Sequence, residues 1–186
     1  MTIIKKVTLG HFTRVPNGVS INLANSFVEG LKTKQEVDVH MINVATELMR
    51  GCAGCARHED IWCSQDDLCF ATMKELIEAD LVVFAYPVQW QSIPGDLKNF
   101  IDRTVMLYNW ADWTAKKCIA DKFTKKQFVC LVTCHNSGAE TAIFPVKTFV
   151  GFLKSKLDTY IVNDSQELSF KTKGAKEFGE KIGQQL

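Results

Sequence analysis

The sequence carries no excess of charge of either sign. Its 22 Lys and Arg stand against 21 Asp and Glu, for a formal net charge of +1. No strong field is available to steer the chain onto nucleic acid or an anionic membrane. No apolar run approaches the roughly 18 residues of a membrane span. The stretch Met1 to Val7 reads as a strand and lacks the charged start, long apolar stretch and small-residue cleavage site of a signal peptide. Internal repeats, low-complexity tracts and linkers are missing as well. So are a GxGxxG fingerprint, a Walker lysine after a glycine-rich turn, and a Ser/His/Asp constellation. What is present is globular: 46% hydrophobic and 23% charged residues exclude a disordered chain. A length of 186 residues is expected to form one domain, 1–186, with a core large enough to need neither disulfides nor a metal.

Cysteine is the residue in surplus, at seven. The number is odd and no secretion signal accompanies it, so the thiols are expected to be free, metal-bound or redox-active in a reducing cytoplasm.

The periodicity alternates between strand and helix. Ile3 to Leu9 reads as a strand ending at Gly10. Ile21, Ala24, Phe27, Val28 and Leu31 recur at helical spacing, with Ser20 expected as N-cap and Gly30 expected to weaken the last turn. Val37, Val39 and Met41 alternate as a second strand near a sheet edge. Asp66-Asp67 opens a helix carrying Met73, Leu76 and Ile77, where carboxylates suit the helix dipole. Leu81 to Tyr86 and Phe128 to Thr133 are apolar throughout, as central parallel strands are. A helix follows Pro94 with Leu97, Phe100, Ile101, Val105 and Tyr108 in phase, and Trp110 to Lys126 reads as a long connection. A helix through Val146, Phe149 and Leu153 (Pro145 near its start or at a kink), a short strand Tyr160–Val162 and a closing helix with Ala175, Phe178 and Ile182 complete five βα units. The expected fold is α/β: a doubly wound five-stranded parallel sheet, order 2-1-3-4-5, with helices on both faces.

In that order a ligand site lies beyond the carboxyl ends of strands 1 and 3. The loop Gly10 to Ser20 would meet it at a helix N-terminus, where free N–H groups favour a phosphate. Thr13, Asn17 and Ser20 add neutral donors, Arg14 a bidentate cation, and Asn17-Gly18 a tight turn. The competing reading is an ordinary βα turn with a capped helix. The loop Tyr86 to Gly95, with two prolines and Trp90, could flank a flat aromatic cofactor, although a lone tryptophan more often marks packing. Thr133 to Gly138 would lie beside it.

The run Ala79-Asp80-Leu81 to Trp90, then Pro94-Gly95-Asp96-Leu97-Lys98-Asn99-Phe100-Ile101-Asp102-Arg103, resembles the NAD(P)H-dependent FMN reductase family of flavodoxin-like proteins. The turn Asn17-Gly18-Val19-Ser20 and the pair Cys52-Ala53-Gly54-Cys55 match patterns seen there too. The resemblance implies that Thr13, Arg14, Asn17, Gly18 and Ser20 take the FMN phosphate and that Pro87, Val88, Gln89 and Trp90 line the flavin. It further implies that Thr133, His135, Asn136, Ser137 and Gly138 close the pocket, with NAD(P)H as co-substrate and a homodimer or homotetramer as the assembly. His11, Tyr86 and Gln89 depart from the residues usual in that family.

Cys52-x2-Cys55-x7-Cys63-x5-Cys69 is the main competing constellation. Four cysteines so close could hold an iron–sulfur cluster, as in the iron–sulfur flavoprotein branch of the same family, or with His58 a zinc ion. The plainer reading is a loop of residual thiols, and no metal is assigned. Cys130 is expected to be buried in its strand, His40 to face solvent, and Asp102-Arg103 to be a structural ion pair. Trp110 and Trp113 suggest a subunit contact or a lid. The functional expectation is a cytoplasmic FMN-dependent oxidoreductase that passes electrons from NAD(P)H to a small acceptor such as a quinone, a nitro or azo compound, or free flavin. The alternatives are an iron–sulfur flavoprotein, a flavodoxin-like electron carrier, or a redox- or metal-sensing module without flavin.

Overall fold

The computed structural model describes residues 4–46, 48–55, 63–109, 111–124 and 126–186. Five parallel strands are β1 (Lys5–His11), β2 (Val37–Asn43), β3 (Leu81–Pro87), β4 (Gln127–Cys134) and β5 (Lys156–Asn163). They lie in the order β2-β1-β3-β4-β5, as expected. The helices are α1 (Val19–Lys32), α2 (Leu68–Glu78), α3 (Gly95–Arg103), α4 (Lys117–Phe123), α5 (Ala139–Phe152) and α6 (Leu168–Gly183), with a 3-10 turn, Thr104–Leu107, after α3.

Burial explains which strands sit where. All eight residues of β4 and the first six of β3 are buried, because both faces of the sheet are covered there. β2 and β5 expose residues along their length, as edge strands do. Val7, Leu9, Leu81, Val83, Val129 and Leu131 pack under α1 and α6 with Phe27 and Ile182. Val82, Phe84, Phe128 and Cys130 face the opposite way and join residues of α2, α3, α4 and α5. The rings of Phe84, Phe100, Phe128 and Phe149 run through that layer at centroid distances of 5.8–6.5 Å.

Gly30 does something other than weaken a helix end. A Cβ built there would lie 2.0 Å from the carbonyl oxygen of Lys176, and one on Gly179 would lie 2.1 Å from that of Phe27. The two glycines let α1 and α6 touch backbone to backbone. The other differences from expectation are local. Gly18, not Ser20, is the N-cap of α1, and Ser20 is buried inside the first turn. α3 stops at Arg103, so Val105 falls in the 3-10 turn and Tyr108 in the extended residue that ends it, rather than in the helix. The connection after Trp110 contains α4, which buries only Ile119 and Phe123 and so shows no period. β5 begins at Lys156, four residues before the expected start, and Pro145 lies inside α5.

Asp102 and Arg103 do not pair with each other. Asp102 binds Lys98 at 2.6 Å, while Arg103, only 2% exposed, donates from Nη1 to Asp67 Oδ2 at 2.6 Å. Asp67 also caps α2, its Oδ1 accepting the N–H of Phe70 at 3.2 Å. Burial by itself would raise the Asp67 carboxyl, but Arg103 and the N–H groups of Arg50 and Phe70 outweigh it and hold the group below its ordinary value.

Candidate functional site

The carboxyl ends of β1, β3 and β4 open onto a cavity of about 700 Å3. That volume lies within the range of small-molecule sites. Phe12, Thr13, Arg14, Val15, Gly18, Val19 and Ser20 form one wall. Pro87, Val88 and Gln89 form another, with Pro94, Gly95, Asp96 and Asn99 from the start of α3, and Thr133 and Asp164 complete the lining.

The first wall is built by the turn before α1. Phe12 N–H donates to the Ala85 carbonyl at 2.8 Å, carrying the β1–β3 pairing one residue past the strand. Val15 N–H bonds Thr13 Oγ1 at 3.3 Å, and Gly18 N–H bonds the Val15 carbonyl at 3.2 Å. Asn17 takes a left-handed conformation, φ 55°, and the turn delivers the chain to the helix. Ile21 and Asn22 N–H return to the Gly18 carbonyl. The N–H groups of Val19 and Ser20 precede that first helical bond and are the open donors of the helix start. With the helix dipole they make this end of the cavity receptive to an anion. Ser20 Oγ and Thr133 Oγ1 are 3.0 Å apart and buried, which ties α1 to β4.

Charge in the cavity is balanced differently from expectation. Arg14 is not free: its Nε and Nη2 donate to Asp96 Oδ2 and Oδ1 at 3.1 and 2.9 Å, and this pairing raises its pKa. Asp164 adds a second carboxylate to the lining. One cation thus faces two carboxylates, and the anion-receptive part is carried by backbone donors. His11 lies at the end of β1, 5% exposed, and its Nδ1 has no partner among the described residues. Burial lowers its pKa, against a smaller opposing effect of its own backbone, so it is neutral at physiological pH.

The second wall is rigid for a visible reason. Val88 N–H donates to the Thr133 carbonyl at 2.7 Å, and Gln89 and Ser92 exchange two N–H bonds at 2.9 Å. Trp90 and Gln91 span that two-residue turn at φ 50° and 60°. Both have positive φ, as the central residues of a type I′ turn do. Gln91 Nε2 reaches Ser137 Oγ at 3.0 Å and so joins this loop to the one after β4. Gly138, at φ 89°, caps α5, and a Cβ there would lie 2.6 Å from Gln91 Oε1. His135 Nδ1 is 2.9 Å from Asp164 Oδ2.

The residues expected at the site are therefore divided by the structure. Thr13, Arg14, Gly18, Ser20, Pro87, Val88, Gln89 and Thr133 line the cavity together. Asn17 shapes the turn, and Trp90 is 100% exposed at the apex of its own. Ser137 and Gly138 brace the second wall through Gln91, while His135 orients Asp164. Asn136 is exposed between them. Asp96, Asn99 and Asp164 were not foreseen. Asp96 sits in the run that carries the resemblance, directly after Pro94-Gly95, and that position was the available signal. Asp164 has no local signal: it arrives through pairing of β5 with β4, its N–H bonding the Cys134 carbonyl at 3.1 Å.

Among the described residues, no three His, Cys, Asp or Glu side chains converge as metal ligands. Cys52 and Cys55 are exposed, Cys63 is half-buried, and Cys69 is buried within α2. His58 and Trp110 lie outside the described residues. Trp113 takes no part in the cavity wall; it packs against Phe152, 6.3 Å between rings, in a separate apolar groove. No helix among the described residues is long and apolar enough to cross a membrane.

Comparison with known proteins agrees with this architecture. A family model described as flavodoxin-like fold matches residues 10–186. An azoreductase of Bacillus anthracis strain Sterne is 18% identical, with 100% of both chains covered and a TM-score of 0.74. An NAD(P)H:quinone oxidoreductase of Methanothermobacter marburgensis is 15% identical, covering 97% of this chain and 98% of the other at a TM-score of 0.74. An FMN-dependent NADH-azoreductase of Bacillus anthracis strain Ames Ancestor, solved with FMN, is 12% identical over 100% and 99% at 0.69. At these identities the likeness is one of fold. An iron–sulfur flavoprotein of Archaeoglobus fulgidus is 29% identical over 68 residues, 37% of this chain, and the match spans only 32% of that protein's length.

Proposed function

We propose, starting from the fact that the chain belongs to the flavodoxin-like fold family, that the switch-point cavity holds FMN and that the protein is an NAD(P)H-dependent FMN oxidoreductase. The observation that carries the reading is the convergence of the α1 N-terminus with the Pro87–Gln89 wall around one cavity of about 700 Å3. The residues present fit the group. The open N–H groups of Val19 and Ser20, with Thr13 Oγ1 and Arg14, would hold the phosphate. The Pro87-Val88-Gln89 wall, fixed by the Val88–Thr133 bond, would lie along the ring system, and its backbone would meet the ring's polar edge. Gln91, Ser137 and Gly138 would keep that wall in place, and His135 would hold Asp164 at the rim.

Bound FMN would supply the redox chemistry, accepting two electrons from NAD(P)H and delivering them to a small acceptor such as a quinone, a nitro or azo compound, or free flavin. The chain would orient the ring and keep water from one of its faces. No side chain is required as acid or base. We place the protein in the cytoplasm and expect a homodimer or homotetramer, with no nucleic-acid or membrane partner. The similarity to solved azoreductases and a quinone reductase supports the reaction class, and the one solved with FMN supports the cofactor.

The test is to titrate the protein with FMN and then add NADPH and NADH anaerobically. Quenching of flavin fluorescence followed by bleaching of its visible absorbance is expected. A protein that takes up no FMN refutes the reading. The stretch shared with the iron–sulfur flavoprotein favours one alternative, a cluster-bearing electron carrier. Iron assayed on the same sample, with FMN bound but no bleaching by either nucleotide, would select it.

A further inference from the structure

Arg103 is used for more than its pairing with Asp67. Its Nη1 also donates to the Arg50 carbonyl at 3.2 Å, and its Nη2 donates to the Gln65 carbonyl at 3.1 Å and to Cys63 Sγ at 3.2 Å. Gln65 Nε2 returns to the Gly51 carbonyl at 2.9 Å. One buried guanidinium therefore clamps residues 50–51 against residues 63–65. Cys63 enters this clamp two residues before Gln65, and Cys52 leaves it one residue after Gly51. The Arg103 Nε, also buried, has no partner among the described residues, so the cation is not fully satisfied by the groups now around it.

The two thiols have complementary settings. Cys63 is half-buried with its sulfur on the cation, while Cys52 is exposed at the start of a loop. In that loop Gly54 is left-handed, φ 61°. The buried Cys69 is pushed up to about 12, first by burial, and the charges of Cys63 and Cys52 add to the rise.

We propose that Cys63 and Cys52 are a hydroperoxide-reactive thiol pair, with Arg103 as the residue that positions the reacting sulfur. A guanidinium N–H held on a cysteine sulfur favours nucleophilic attack by that sulfur, because it stabilises negative charge as it develops there. Cys63 sulfur attacks the outer oxygen of the hydroperoxide. An S–O bond forms and the O–O bond breaks. The thiol is oxidised by two electrons to a sulfenic acid, and the peroxide leaves as alcohol or water carrying the thiol proton. Cys52 sulfur then attacks the sulfenic sulfur. The S–S bond forms, the S–O bond breaks, and water departs with the Cys52 proton. The inference does not rest on the flavin reading and is tested on the protein whatever its flavin content.

The test uses the reduced full-length protein. Iodoacetamide at about pH 6.5 is expected to label Cys63 at least tenfold faster than Cys118, an exposed thiol on α4 that serves as an internal standard. Hydrogen peroxide is expected to produce a Cys52–Cys63 disulfide by peptide mapping. In Cys52→Ser it should leave a Cys63 sulfenic acid that dimedone traps. Arg103→Lys, where it folds, should slow labelling of Cys63 severalfold and leave Cys118 unchanged. Equal rates at Cys63 and Cys118 in the native sequence overturn the proposal. So does a disulfide that joins Cys52 to Cys55 instead, or purified protein whose Cys63 is already bound to iron or zinc.

Discussion

The same substitution, glycine to alanine, should act in opposite directions at two helical positions. At Gly179 on α6 the added Cβ would sit 2.1 Å from the Phe27 carbonyl oxygen and 3.0 Å from its carbon, both backbone atoms of α1. Neither can swing aside as a side-chain tip could, so the helices must separate by roughly 1 Å to restore an ordinary contact near 3.4 Å. That separation loosens the packing of Phe27, Leu31 and Ile182 against the sheet. Overpacking against rigid backbone costs about 3 kcal/mol. At Gly151, in the last turn of α5, a Cβ meets nothing within 4 Å. There alanine should stabilise by about 0.5–1 kcal/mol through helix propensity and reduced chain entropy. Urea denaturation followed by circular dichroism reads both as shifts of midpoint at constant slope. Because α1 also presents the cavity's N–H donors, Gly179→Ala should weaken FMN binding severalfold, while Gly151→Ala should not. A Gly179→Ala midpoint equal to that of the unaltered protein would refute the backbone contact, and a destabilised Gly151→Ala would refute the open space.

Three further outcomes are expected. Asp96→Asn frees Arg14 and removes one of two cavity carboxylates, so FMN should bind about fivefold tighter while riboflavin, without a phosphate, should not; isothermal titration of both ligands decides it. Cys69 and Cys130 are both held up to about 12 from 9.0, chiefly by burial. The folded chain therefore keeps protons that the unfolded chain releases, and stability should fall as pH rises from 9 towards 12, by up to about 1.4 kcal/mol per pH unit for each thiol. A Cys69→Ala/Cys130→Ala protein should show a shallower alkaline limb. The depressed Asp67 carboxyl works at the other end: its contribution is complete above the unfolded value of 3.8 and is lost as pH falls through the lower folded value. Asp67→Asn, which leaves Arg103 buried without its counter-charge, should cost about 3 kcal/mol at neutral pH and make the acid limb shallower, as urea midpoints across pH will show.

The central strands were legible because burial on both faces leaves an apolar run with no other simple reading, as in Leu81 to Tyr86. The strand order followed from the alternation of elements, and the two walls of the cavity followed from the order. What escaped depended on contacts remote in sequence. Ser20 has the chemistry of a cap, yet its hydroxyl is taken by Thr133, 113 residues away. Gly30 marks a helix crossing that only the partner helix reveals. Arg103 pairs with Asp67, 36 residues earlier, rather than with its neighbour Asp102. β5 starts on Lys156 and Asp158, charged residues an edge strand tolerates because part of it faces water. Asp164 inherits its place from that strand's register.

Trp90 stands on two left-handed residues with its indole wholly in water. Such backbone conformations cost free energy for side chains of this kind. The folding of the chain recovers none of that cost through burial of the ring, so the tryptophan is a net debit in the isolated fold. Replacing Trp90-Gln91 with Asn-Gly would suit the turn better and raise the melting temperature. A stability screen would therefore choose to discard this side chain, and any benefit it brings must be sought in a bound state.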